Sequence, residues 1–125
     1  MLTHFEARFE GARQFAIENR VLLLKSQSGV DIDLALGALP FEELAIERAI
    51  LCDFAGASLL ICTAEDLIIM KAFANRSRDW GDIEGVALRQ KGKLDLGYIR
   101  EQIRILAKSK PGEPIQEKLE TLLLT

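Results

Sequence analysis

Apolar positions along the chain change their period several times, and each change marks an element. Phe5, Phe9, Ala12 and Ala16 recur at spacings of four, three and four, which predicts a helix over 4–18. "RVLLLKS" and "VDIDLAL" flank a short connection with a glycine, the pattern of a β-hairpin over 20–36. Val30, Ile32, Leu34 and Leu36 alternate with Asp31, Asp33 and Ala35, so both carboxylates fall on one strand face. Pro40 suits a first helical position and opens a short helix over 40–49. "AILCDF" and "SLLICT" around "AGA" predict a second hairpin over 50–62.

The remainder, 63–125, reads as helical. Thr63 followed by Asp66 is an acidic variant of a capping box, and the helix it starts should reach about Asn75. In the next helix, Asp79 is a candidate cap and Asp82 a candidate first-turn residue. Asp95 caps a longer helix with the stripe Leu96, Ile99, Ile103 and Leu106. Pro114 begins a last helix with Ile115, Leu119 and Leu122 inward. The fold class is α+β, a small mixed or antiparallel sheet flanked by helices, in a single domain spanning 1–125.

Composition narrows the function classes. The 125 residues suit one small core, and 49% hydrophobic with 28% charged residues is globular rather than disordered. A net charge of −3 gives no strong nucleic-acid signal. The N-terminal "MLTHFEARFEGARQF" carries charges throughout, unlike a signal peptide, and no apolar run approaches a membrane span. Cys52 and Cys62 lack metal-site spacing and read as two reduced core thiols of a cytoplasmic protein. His4, the one histidine, carries no expected role.

Chemistry concentrates in two places. Asp31 and Asp33 could bind a divalent cation or serve as a general base, since hard cations prefer carboxylate oxygens. The same pair could equally be the wet face of an antiparallel strand. Lys71 is the one charge in "LIIMKAF", and an ammonium held from water needs a partner or an anionic ligand. It is expected to reach toward Asp31 and Asp33. A salt bridge, a phosphate contact and a stem snorkelling to solvent all fit.

"RVLLLKSQSGVDIDLALGALPFEELAIERA", "AEDLIIMKAFANRSRDWGDIEG" and "LDLGYIREQI" together carry a family pattern, most specific from Glu65 to Ile83. From about Leu2 to Leu123 the chain resembles nucleotidyltransferase-like proteins of the AbiEii type, often toxins of toxin–antitoxin pairs. The resemblance implies a polymerase-β-like fold that moves a nucleotidyl group from a nucleoside triphosphate to an acceptor, with Mg²⁺ held by acidic residues. It implies Asp31 or Asp33 as a metal ligand and Asp31, Asp33 and Lys71 as catalytic. Lys71, Arg76, Asp79 and Asp82 become nucleotide-binding candidates. The family's Gly-rich turn and its following Asp-x-Asp, which cradle phosphates and bind metals, have no counterpart here. The chain therefore matches the C-terminal two-thirds of such a domain, incomplete at its N-terminus, and is expected to be inactive alone. The alternative is a non-catalytic, self-associating interaction module. Partners implied are a nucleoside triphosphate, an antitoxin protein or a second copy in a homodimer.

Overall fold

The computed structural model describes residues 4–124. The expected limits at residues 1 and 125, and the start of the similarity at Leu2, lie outside the described residues. The fold is α+β, with two small antiparallel sheets and six helices among those residues. It comprises two compact units, divided between Glu43 and Leu44.

The first unit is built on a three-stranded antiparallel sheet, β1 (Phe5–Ala7), β2 (Val21–Ser26) and β3 (Asp31–Ala35), in that order. Helix α1 (Ala12–Asn19) packs on β2, burying Ala12, Ala16 and Leu24. The expected single helix over 4–18 is thus corrected. Phe5 and Ala7 pair with Ser26 and Leu24, and Gly11, at φ 88°, turns the chain before α1. The spacing of Phe5 and Phe9 imitates a helical repeat, but Phe5 lies in β1, Phe9 in the turn after it, and left-handed Gly11 sets both apart from α1. In the β2–β3 hairpin Leu24 faces Ile32 and Lys25 faces Asp31, which keeps the acidic residues of β3 in one row.

Helix α2 (Pro40–Arg48) runs across the division between the units. In the second unit, β4 (Ile50–Phe54) and β5 (Ala57–Ile61) form a two-stranded sheet. Ala55 and Gly56 connect them with positive φ at both residues, the signature of a type I′ turn. This hairpin is open to solvent: Ile50, Leu51, Phe54, Leu59, Leu60 and Ile61 are 43% to 69% exposed. Cys52 and Cys62 are free thiols, but only half-buried, so they are not core residues as expected. Cys52 lies in β4 and Cys62 directly after β5.

The core of this unit is helical. α3 (Ala64–Ala74) packs against α4 (Ser77–Arg89), α5 (Leu96–Ala107) and α6 (Ile115–Leu123). Ile68, Ile69, Ile83, Ile99, Ile103, Ile115 and Leu119 are almost wholly buried, each contributing about 1.5–3 kcal/mol by burial. Thr63 caps α3 by accepting from the Asp66 N–H at 3.1 Å. Asp95 caps α5 by accepting from the Tyr98 N–H at 2.9 Å. Among the described residues no helix is long and apolar enough to cross a membrane.

Candidate functional site

The corner between α3 and α4 gathers most of the charged residues singled out in the sequence. Asn75 adopts the left-handed conformation and closes α3, its N–H bonding to the Lys71 carbonyl. Arg76 is extended, and α4 begins at Ser77. Two residues thus reverse the chain, so Lys71 on the last turn of α3 faces the first turns of α4.

There the Lys71 ammonium lies 2.8 Å from Asp82 and 3.5 Å from Asp79. Asp79 is fully buried, and Arg76 grips it twice, Nε at 2.7 Å and Nη2 at 3.2 Å, while the Arg76 backbone N–H adds a third bond at 3.2 Å. Asp79 is therefore the third residue of α4, bonding back to the capping residue Arg76, rather than the cap expected from the sequence. Asp82 falls in the second turn, beyond the expected first. The hydrogen bonds from Arg76, more than the Lys71 charge, lower the Asp79 carboxyl to about 2. The hydrogen bond to Asp82 raises the Lys71 ammonium above its ordinary value, against the opposing effect of desolvation. Two cations meet two carboxylates, so the cluster is neutral.

Residues not singled out in the sequence complete the corner. The Asn75 side-chain oxygen accepts from Trp80 Nε1 at 2.9 Å and Lys118 Nζ at 3.1 Å, and its amide donates to Glu113 at 2.8 Å. Lys110 donates to the Phe73 carbonyl at 2.6 Å, near the negative end of α3. The signal for Asn75 was available, since asparagine is favoured after glycine in left-handed caps. The partners from α6 and the loop before it were not signalled by any local pattern.

Asp31 and Asp33 are half to two-thirds exposed in the first unit. Arg8 bridges them, one guanidinium nitrogen on each carboxylate, and Lys25 reaches Asp31 at 3.7 Å. The partners of Lys71 are Asp82 and Asp79, so its expected reach to the strand aspartates is replaced by pairing within its own unit. Carboxylate oxygens are the right donors for Mg²⁺, which one or two carboxylates with water can hold, but here Arg8 and Lys25 together already balance the two charges. Among the described residues no group of three or more potential ligands converges on a metal position. A cation entering between the two carboxylates would have to displace the Arg8 guanidinium.

A third cluster was missed. Asp66 is fully buried and accepts from Tyr98 Oη at 2.6 Å and Arg48 Nε at 3.2 Å. The Arg48 guanidinium also stacks 3.8 Å from the Tyr98 ring centre. Burial, then the adjoining Asp66 carboxylate, pushes the Tyr98 phenol well above its usual range. The Asp66 carboxylate thus joins α2, α3 and α5 and leaves only its N–H to the cap at Thr63. Two open hollows of the second unit, about 390 and 290 Å³, are lined by other residues than Lys71, Asp79 and Asp82.

No family model matches the chain, and neither the curated proteins nor the solved structures compared with it give a match.

Proposed function

We propose that this chain is a nucleotidyltransferase-like protein whose residues bind a nucleoside triphosphate but do not transfer a nucleotide by themselves. The observation that carries the reading is the convergence of Lys71, Asp79 and Asp82 at the α3–α4 corner, with the lysine side chain 27% exposed. The stretch from Glu65 to Ile83 spans most of α3 and the first half of α4. Ile68 and Ile83 anchor it in the core, while Glu65 accepts from the Asp95 N–H at 3.0 Å. An ammonium placed there can exchange the exposed Asp82 carboxylate for phosphate oxygens, and Arg76 keeps Asp79 neutralised while it does so.

In the transfer itself, the acceptor hydroxyl would attack the α-phosphorus and pyrophosphate would leave. Lys71 contributes charge to the leaving phosphates. The Gly-rich turn and the Asp-x-Asp have no counterpart in these residues, and Asp31 and Asp33 are ion-paired with Arg8. Calorimetric titration of the purified chain with each nucleoside triphosphate tests the reading. Binding lost in Lys71→Ala supports it, and heat indistinguishable from that variant refutes it. Labelled triphosphate and RNA should give no incorporation with this chain alone.

The solvent-open β4–β5 hairpin favours a second reading, a non-catalytic interaction module of a toxin–antitoxin type system. In that case the balanced Lys71 cluster is purely structural. Triphosphate binding that depends on Lys71 would remove this reading.

A further inference from the structure

We infer that β5 is a homodimerisation edge, pairing antiparallel with β5 of a second copy about a two-fold axis at Leu59. The inference goes beyond the triphosphate reading and rests on the open hairpin edge alone, whichever reading of Lys71 holds.

A two-stranded hairpin is marginal in water, and further strands or a helix packed on its face are needed for independent stability. β4 and β5 pair only with each other among the described residues, yet they carry six large apolar side chains in solvent. The type I′ turn makes Phe54–Ala57 the hydrogen-bonded closing pair. By alternation Ala57, Leu59 and Ile61 aim their backbone groups at β4, while Ser58 and Leu60 aim theirs outward. A two-fold axis at Leu59 places Ser58 opposite Leu60 of the second copy, and the outward groups of both satisfy each other. The result is a four-stranded sheet, β4–β5–β5–β4.

Charge selects this edge over its neighbour. β5, "ASLLI", has no lysine, proline or charged residue, the usual devices that keep an edge from pairing. The same operation on β4, about Cys52, would set Leu51 against the carboxylate of Asp53, which already accepts from Ser58 Oγ at 3.0 Å. A second copy suits β5 because every residue it brings opposite is uncharged. The five-residue edge is only about 17 Å long, so the dimer is small, reversible and concentration-dependent.

Sedimentation equilibrium of the full chain, from low to high micromolar concentration, should show a monomer–dimer equilibrium. Leu59→Lys and Leu59→Glu each set like charges across the axis, and each should abolish the dimer where the native chain forms it. Mixed together they should restore it as a heterodimer, which also shows that both variants fold. Ser58→Pro removes an outward backbone donor, keeps the backbone ladder to β4 while losing the side-chain bond to Asp53, and should abolish the dimer as well. A native chain that stays monomeric overturns both the inference and self-association. A dimer that survives in Leu59→Lys, Leu59→Glu and Ser58→Pro overturns this edge alone and leaves self-association standing.

Discussion

Lys71 and Asp82 form a 2.8 Å ion pair that joins the last turn of α3 to the second turn of α4. The pair is the outer half of a neutral four-charge cluster, and its inner half, Arg76 with buried Asp79, does not depend on it. This ordering separates the two cations of the cluster by experiment.

Lys71→Met should leave thermal stability nearly unchanged. Asp79 keeps three hydrogen bonds from Arg76, and Asp82 is 54% exposed and returns to water. Arg76→Met should lower Tm clearly more, because it leaves the buried Asp79 with a single backbone bond and a lysine 3.5 Å away. Scanning calorimetry of the two variants checks the order, and equal losses would contradict it.

Acid should unfold the chain partly through Asp79. Its carboxyl lies at about 2 in the folded protein against 3.8 unpaired, so its stabilisation is complete above 3.8 and is lost as pH falls toward 2. Lys71 works in the opposite sense. Its raised value means stabilisation that is complete below 10.5 and disappears as pH rises through the higher folded value. Tm measured against pH should therefore fall less steeply between 3.8 and 2 in Asp79→Asn than in the native chain, from a lower starting point.

Tyr98→Phe deletes the hydroxyl that donates to buried Asp66 at 2.6 Å. An unsatisfied buried acceptor costs about 1–3 kcal/mol, and the stacked Arg48 loses no ring. Urea unfolding should show that loss with an unchanged m-value. Ile99→Ala, in the same helix, should cost about 2–5 kcal/mol as a cavity in the core. A smaller effect for Ile99→Ala than for Tyr98→Phe would contradict the placement of the core.

Mg²⁺ should not raise Tm at millimolar concentration in the absence of a nucleotide. A ligand stabilises only when it exceeds its dissociation constant, and Arg8 already occupies the space between Asp31 and Asp33. A Mg²⁺-dependent rise that vanishes in Asp31→Asn would show that the guanidinium is displaced.

Much of the fold was legible because local signals agreed with one another. Thr63, Asp95 and Pro114 mark helix starts, and the stripe Ile99, Ile103 and Leu106 is the buried face of α5. The first strand was hidden because Phe5 and Phe9 mimic a helical repeat, and a three-residue strand is too short to show its own period. The candidate site was only half legible. The short link through Asn75 made the nearness of Lys71, Asp79 and Asp82 a local matter, whereas the pairing of Asp66 with Arg48 and Tyr98 spans distant stretches of sequence. An aspartate in a capping position has two uses, and only tertiary packing chose the buried one.

Helix α2 spans the division at Glu43 and Leu44, and this has a practical bearing on dissecting the protein. A fragment beginning at Leu44 would keep only five of the nine α2 residues, too few to hold a helical turn without support. Arg48 would then fray away from Asp66, leaving a carboxylate enclosed with only a phenol beside it. Any attempt to express the helical half alone should therefore start no later than Pro40.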